Sequence, residues 1–263
     1  MMNAIDCAYS IEGQGPAVFL VHGVGARRQV WAGVVEQLKS EFRCISYDLR
    51  GHGDSPKSTG AFGLDDLVAD LEALRARLGI AKAHVVGHSL GGMVAPAYAR
   101  RYGGHVLSVG LLSTAAGRTD EDRARARIVV TSMAEKGVQS ALDLLMPRWF
   151  TDAFIKAQPA IVAARRRQLI EMDPEIYLNT FRIYAETEMA PWLHEVTVPA
   201  LVLTGEFDPG CSPRLNRIMA ETLPNAELVI LDKLRHSILV EAPERVAPPV
   251  AAFLRRHSRE PAG

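Results

Sequence analysis

Short, almost wholly apolar runs recur along this chain with amphipathic stretches between them, and that alternation constrains the fold more than any other feature. Ala17-Val18-Phe19-Leu20-Val21, the stretch from Phe42 to Tyr47, Ala83-His84-Val85-Val86, the stretch from Val106 to Leu112, Leu201-Val202-Leu203 and Leu228-Val229-Ile230-Leu231 read as strands. They lack the polar alternation of a half-exposed strand, as expected when both faces of a sheet are covered. Helical stretches run from Val30 to Leu38, from Leu64 to Leu78, from Leu90 to Tyr102 and from Val246 to Arg255, the last with Pro248-Pro249 inside it. In the second of these, Leu64, Leu67, Val68, Leu71, Leu74 and Leu78 repeat at helical spacing. Asp65 and Asp66 sit in its first turn, where the helix dipole favours negative charge, and Gly79 ends it. Strands alternating with helices predict an α/β fold with a mostly parallel central sheet flanked by helices.

From about Gly117 to Trp192 the rhythm breaks into helix after helix. Asp173-Pro174 is a helix start, an N-cap residue followed by Pro at the first helical position, and Thr151 to Pro159 holds a further break. This divides the chain into a core of residues 1–116 and 193–263 and a helical cap of residues 117–192, with a frayed tail expected from Ser258 to Gly263. A length of 263 residues suffices for one large core. Lys+Arg and Asp+Glu balance at 30 each, so no basic face for nucleic acid is expected, and Arg165-Arg166-Arg167 reads as a solvated helix face, with anion attraction as the alternative. Cys7, Cys44 and Cys211 are too few and too odd in number for a disulfide framework, which fits a reducing compartment. Met1 to Ser10 carries no basic and apolar leader pattern, and no apolar run approaches the ~20 residues of a membrane span. The expectation is a cytoplasmic protein, monomer or homodimer, with a small-molecule partner and no membrane or nucleic-acid partner.

Gly87-His88-Ser89-Leu90-Gly91 is a G-x-S-x-G pentapeptide that follows an apolar strand and opens a helix, the context a nucleophile elbow requires. The other reading is a Gly-rich turn that binds a phosphate, but neither G-x-G-x-x-G nor G-x-x-x-x-G-K is present here. A serine hydroxyl needs a base. Of eight histidines, His236 lies in the loop after the last apolar run, where the carboxyl ends of the strands should gather; His22, His52, His84, His88, His105, His194 and His257 sit in turns, at strand or helix edges, or near the tail. Asp208, after the preceding strand, is the candidate to orient that base, with Glu206 as the alternative. Oxyanion donors are expected from the N–H of Leu90 and from Val24 in the loop His22-Gly23-Val24-Gly25, which otherwise is a plain tight turn. No H-E-x-x-H or paired Cys-x-x-Cys suggests a metal, and Ser at 89 excludes an Asp nucleophile.

His22-Gly23, Asp48 with Arg50-Gly51-His52-Gly53, Gly87 to Gly91, Gly205 with Asp208, and His236 together resemble the α/β-hydrolase superfamily over nearly the whole chain, from about Ala4 to Arg256. The cap segments Leu111 to Ala116 and Arg148 to Phe154 make it most similar to the 3-oxoadipate enol-lactonases, cofactor-free hydrolases of aromatic catabolism. The resemblance implies the α/β-hydrolase fold, with a cap inserted after the sixth strand of the family's standard order. It also implies hydrolysis of a carboxylic ester or lactone through an acyl-enzyme, without cofactor. Arg148 and Trp149 are the cap's candidates to meet substrate, Arg148 through a substrate carboxylate; the other reading of Arg148 is a surface arginine beside an aromatic. A C–C bond hydrolase acting on a ring-cleavage product would use the same triad, and a small-molecule-binding protein can retain it without turnover.

Overall fold

A computed structural model describes residues 2–58 and 60–258. Its first half runs β1 (Tyr9–Glu12), β2 (Ala17–Val21), α1 (Ala32–Leu38), β3 (Arg43–Tyr47), α2 (Leu64–Arg77), β4 (Ala83–His88), α3 (Gly91–Tyr102) and β5 (Val106–Leu112). Five helices follow: α4 (Asp120–Lys136), α5 (Val138–Trp149), α6 (Asp152–Ala157), α7 (Pro159–Glu171) and α8 (Pro174–Glu186). The chain then returns through β6 (Ala200–Gly205), α9 (Pro213–Thr222), β7 (Ala226–Leu231), α10 (Ile238–Glu241) and α11 (Pro243–Arg256).

The strands form one sheet in the order β1-β3-β2-β4-β5-β6-β7. Only β1 is antiparallel, pairing Tyr9 with Tyr47 and Glu12 with Cys44. The sequence does not announce this strand, because YSIE is short, polar and mostly exposed, as an edge strand with one partner can be. All other pairings are parallel, with Val21 beside Tyr47 and Gly87, Leu112 beside Leu203, and Gly205 beside Leu231. The strands therefore deliver their following loops to one edge of the sheet.

Period-two alternation splits the strand side chains between two cores. Phe19, Val21, Ile45 and Val85 pack with Leu67 and Leu71 of α2 and Met93 and Val94 of α3. Val18, Leu20, Cys44 and Val86 pack on the other face with Val34 and Leu38 of α1 and Val250 and Phe253 of α11. That apolar stripe carries α11 through both Pro248 and Pro249 and back to Pro243, earlier than its sequence start.

The helical stretch lies between β5 and β6, with no strand among its described residues. Thr119 caps α4, Asp173 caps α8 by accepting from the Glu175 and Ile176 amides, and Thr151 caps α6 inside the segment read as a break. The helices share an apolar cluster that includes Leu142, Phe150, Leu169, Tyr177 and Phe181, against which Val24 and Val240 pack from the sheet side. Ser258 is not frayed: its Oγ donates to Leu254 O at 2.7 Å and lies 3.1 Å from His84 Nε2, while residues 259–263 of the expected tail lie outside the described residues. All three cysteines are free and buried, and among the described residues no helix is long and apolar enough to cross a membrane.

Candidate active site

Ser89 stands at the turn between β4 and α3 with φ +56°, left-handed backbone that a non-glycine residue adopts at a cost of roughly 1–2 kcal/mol. Its amide donates to Leu112 O at 2.9 Å, which pins the turn to the end of β5. The pentapeptide's glycines are needed for closeness: a Cβ on Gly87 would collide with the Gly91 carbonyl, and one on Gly91 with that of Val21. The tight turn lifts Ser89 above the sheet edge, where it stays only 8 % exposed.

The loops after β6 and β7 bring Asp208 and His236 together. His236 Nδ1 lies 2.7 Å from Asp208 Oδ2, and a carboxylate accepts, so Nδ1 carries the proton and Nε2 is the lone-pair nitrogen of the neutral ring. Asp208, 2 % exposed, has its other oxygen held by the Gly210 and Cys211 amides at 3.0 and 2.8 Å. Burial alone would raise this carboxyl, but the His236 charge, the bond to it and the two amides outweigh burial and hold it below its ordinary range. Burial alone would lower His236; the Asp208 charge and hydrogen bond outweigh it and raise the imidazole above its ordinary value. Glu206, the alternative, is exposed and accepts from the Lys233 amide instead.

The loop after β2 closes the third side. A Cβ on Gly23 would stand 2.8 Å from Ser89 Cβ and 3.3 Å from its Oγ, so this backbone lies directly against the hydroxyl. Ala26 N–H donates to Gly23 O at 3.1 Å and Gly25 N–H to His52 Nε2 at 3.1 Å. Among the described residues the amides of Val24 and Leu90 have no acceptor in the protein. Two such N–H groups beside a hydroxyl can hold a developing oxyanion.

Ser89, Asp208, His236, Val24, Arg148 and Trp149 all line one cavity of about 170 Å³, bounded by the sheet edge on one side and by α4, α5, α7 and α8 on the other. Leu90 is fully buried beneath it. Arg148 is exposed and Trp149 half-buried, and the Ser237 amide donates to Trp149 O at 2.8 Å, tying α5 to the His236 loop. Asp208, Cys211 and His236 offer donor atoms within 4.8 Å of one another, but each is already engaged: Asp208 with His236, and Cys211 Sγ with Tyr184 Oη at 3.1 Å.

Several contributors are invisible to spacing. His88, the variable residue before the serine, donates from Nε2 to His236 O at 2.9 Å and so fixes the backbone of the neighbouring histidine. Burial pushes its imidazole down to about 3, leaving it neutral. Burial likewise holds His22 and His52 down at about 3; His22 Nε2 accepts from the Leu49 amide, and both rings brace the loop. Arg118, 6 % exposed, reaches the cavity wall with Nη1 on Thr187 O and with no acceptor for Nη2 among the described residues. Arg165 corrects the expectation of a solvated face. It turns inward, with its guanidinium on the Val24 and Gly25 carbonyls, whereas its neighbour Arg166 pairs with Asp143 at 2.5 Å.

A model of the alpha/beta hydrolase fold family matches residues 16–243. The chain is 29% identical to 3-oxoadipate enol-lactonase 2 of Acinetobacter baylyi over 97% of this chain and 96% of that one. Among solved structures, a thermophilic esterase from Thermogutta terrifontis superposes with a TM-score of 0.87 at 30% identity, covering 97% and 95% of the two chains. The enol-lactonase from Burkholderia xenovorans does so with a TM-score of 0.87 at 28% identity, covering 95% and 97%.

Proposed function

Because this chain belongs to the alpha/beta hydrolase fold family, whose model spans most of it, we propose that it hydrolyses a carboxylic ester or lactone through an acyl-enzyme on Ser89. Ser89 Oγ attacks the carbonyl carbon while its proton passes to His236 Nε2. The N–H groups of Val24 and Leu90 receive the oxyanion. As the tetrahedral intermediate collapses, the C–O bond breaks and the leaving oxygen takes the proton from His236. Water, deprotonated by the same nitrogen, then attacks the acyl carbon; the acid departs and Ser89 regains its proton. Asp208 keeps the ring in the required tautomer and compensates the imidazolium. The observation that carries this reading is the 2.7 Å bond from His236 Nδ1 to a buried carboxylate, on the wall of the cavity that also holds Ser89.

The helices of residues 117–192 act as the cap that selects the substrate. Arg118, Arg148 and Arg165 line the cavity without a carboxylate partner among the described residues, whereas the acidic lining groups are already paired, Asp122 with Arg214 and Asp208 with His236. This excess of positive charge favours a substrate that itself bears a carboxylate, and similarity to enol-lactonases points to a lactone of that kind. Rates over a panel of enol-lactones, saturated lactones and neutral short-chain esters test the reading. Turnover is expected on at least one class and none with Ser89→Ala; hydrolysis retained by that variant removes the assignment. Arg148→Ala is expected to raise KM for acidic substrates alone, and an equal rise for neutral esters would exclude a carboxylate contact.

A further inference from the structure

Arg165 sits on α7, in the helical insert, yet its side chain crosses to the loop that follows β2. Nη1 donates to Gly25 O at 2.6 Å and Nη2 to Val24 O at 3.2 Å, and Gln168 Nε2, one turn on, adds a second bond to Gly25 O at 3.0 Å. Leu169 and Tyr177 press on the same residue: a Cβ on Gly25 would meet both rather than open space. With the Gly25 amide on His52 and Gly23 O taking the Ala26 amide and His22 Nδ1, the loop's other polar groups are tied down around the Val24 N–H.

The charge is harder to explain than the bonds. Among the described residues no carboxylate pairs with Arg165; burial draws its guanidinium down to about 10, and the charge of Arg27 acts in the same direction. A half-buried cation without a counter-ion is costly unless something offsets it. Neutral carbonyls solvate it only in part, and its charge contributes to keeping His22 and His52 beneath the loop, and His88 on the cavity wall, unprotonated. Negative charge arises in that cavity when a tetrahedral intermediate forms beside Val24.

We infer that Arg165, assisted by Gln168, is a positioning residue for the reaction: it locks the loop carbonyls of Val24 and Gly25 so that the Val24 N–H faces the oxyanion, which makes the chemical step depend on the helical insert being docked. The inference rests on the acyl-enzyme reading above. It differs from a substrate-contact role in that both terminal nitrogens of Arg165 donate to backbone carbonyls of the loop, and its charge on the cavity wall acts on the substrate only at a distance.

The test uses the full chain with 4-nitrophenyl acetate as substrate and phenylboronic acid as the tetrahedral probe. Arg165→Met removes donors and charge at similar length. Its kcat is expected to fall ~10- to 100-fold, short of the ~10²- to 10³-fold loss of an oxyanion donor itself, with KM within about twofold. Boronate affinity should weaken by the same factor as kcat. Arg165→Lys should recover part of the loss, and Gln168→Leu should show a smaller fall in the same direction, so the test survives if the Met variant does not fold. A raised KM with kcat unchanged makes Arg165 a substrate contact, and unchanged kcat in all three variants removes its role; either overturns the inference. Failure of the underlying reading looks different: the wild-type protein would then bind no boronate, and Ser89→Ala would keep its activity.

Discussion

Ser89 holds a backbone angle that its own side chain resists, and only a requirement on where that side chain points justifies the strain. Ser89→Gly is therefore expected to be inactive and yet more stable by about 1 kcal/mol, relief of left-handed strain outweighing the glycine's extra unfolded-state entropy; urea unfolding measures it. Ser89→Ala keeps the strain and loses the hydroxyl, so wild-type stability with a loss on the order of 10⁶ in kcat is expected. Asp208 raises the proton affinity of His236, and the base works only when neutral, so kcat/KM should climb with pH through the pair's apparent value. Asp208→Asn removes the raising charge. Its ascending limb should move to lower pH while kcat drops by ~10⁴, and a limb that stays put would show that another group titrates. These three residues were legible in the sequence because each directly follows a strand or sits one short loop beyond it. His88 was not, since its partner is the His236 carbonyl, reached only across the fold, and Cys211 was not, since it serves Asp208 through its backbone amide, which any residue type supplies.

Between elements, the turn after β3 is clamped to α2 by Arg50, whose Nε and Nη2 reach Asp70 at 2.7 and 2.6 Å with both side chains 1 % exposed. Removing one member leaves a buried charge without its partner, so Asp70→Ala is expected to cost about 3–5 kcal/mol, read from the denaturant midpoint. A shift below 1 kcal/mol would mean that water or another group compensates. Because the same turn carries His52, whose ring accepts from the Gly25 amide, the variant should also lose activity below its melting range. Element type was readable where apolar runs are buried on both faces. The edge strand Tyr9–Glu12 escaped, as its polar, exposed residues have no periodic signature. Arg165 was misjudged because a charged triplet looks solvated until a helix is docked against a loop 140 residues away.

Across the molecule, four buried histidines are kept neutral: burial holds His22, His52 and His88 down at about 3 and His84 at about 4. Their folded values lie below the unfolded ~6.5, so on acidification the unfolded chain takes up protons that the folded one refuses. Stability should thus fall as pH drops from ~6.5 towards 4, by up to ~1.4 kcal/mol per pH unit for each group, and a flat melting temperature over that window would contradict their burial as neutral rings. The parallel sheet and the position of the helical insert were legible from the strand rhythm and its interruption; which insert side chains face the cavity was not, since helix after helix leaves rotation and docking open. The central claim, that residues gathered at one sheet edge make Ser89 a nucleophile, is tested most directly by intact-mass and peptide-mass analysis after exposure to a fluorophosphonate. The expected result is one adduct, on Ser89, formed far more slowly in His236→Ala; no adduct, or one on another residue at the wild-type rate, would contradict it.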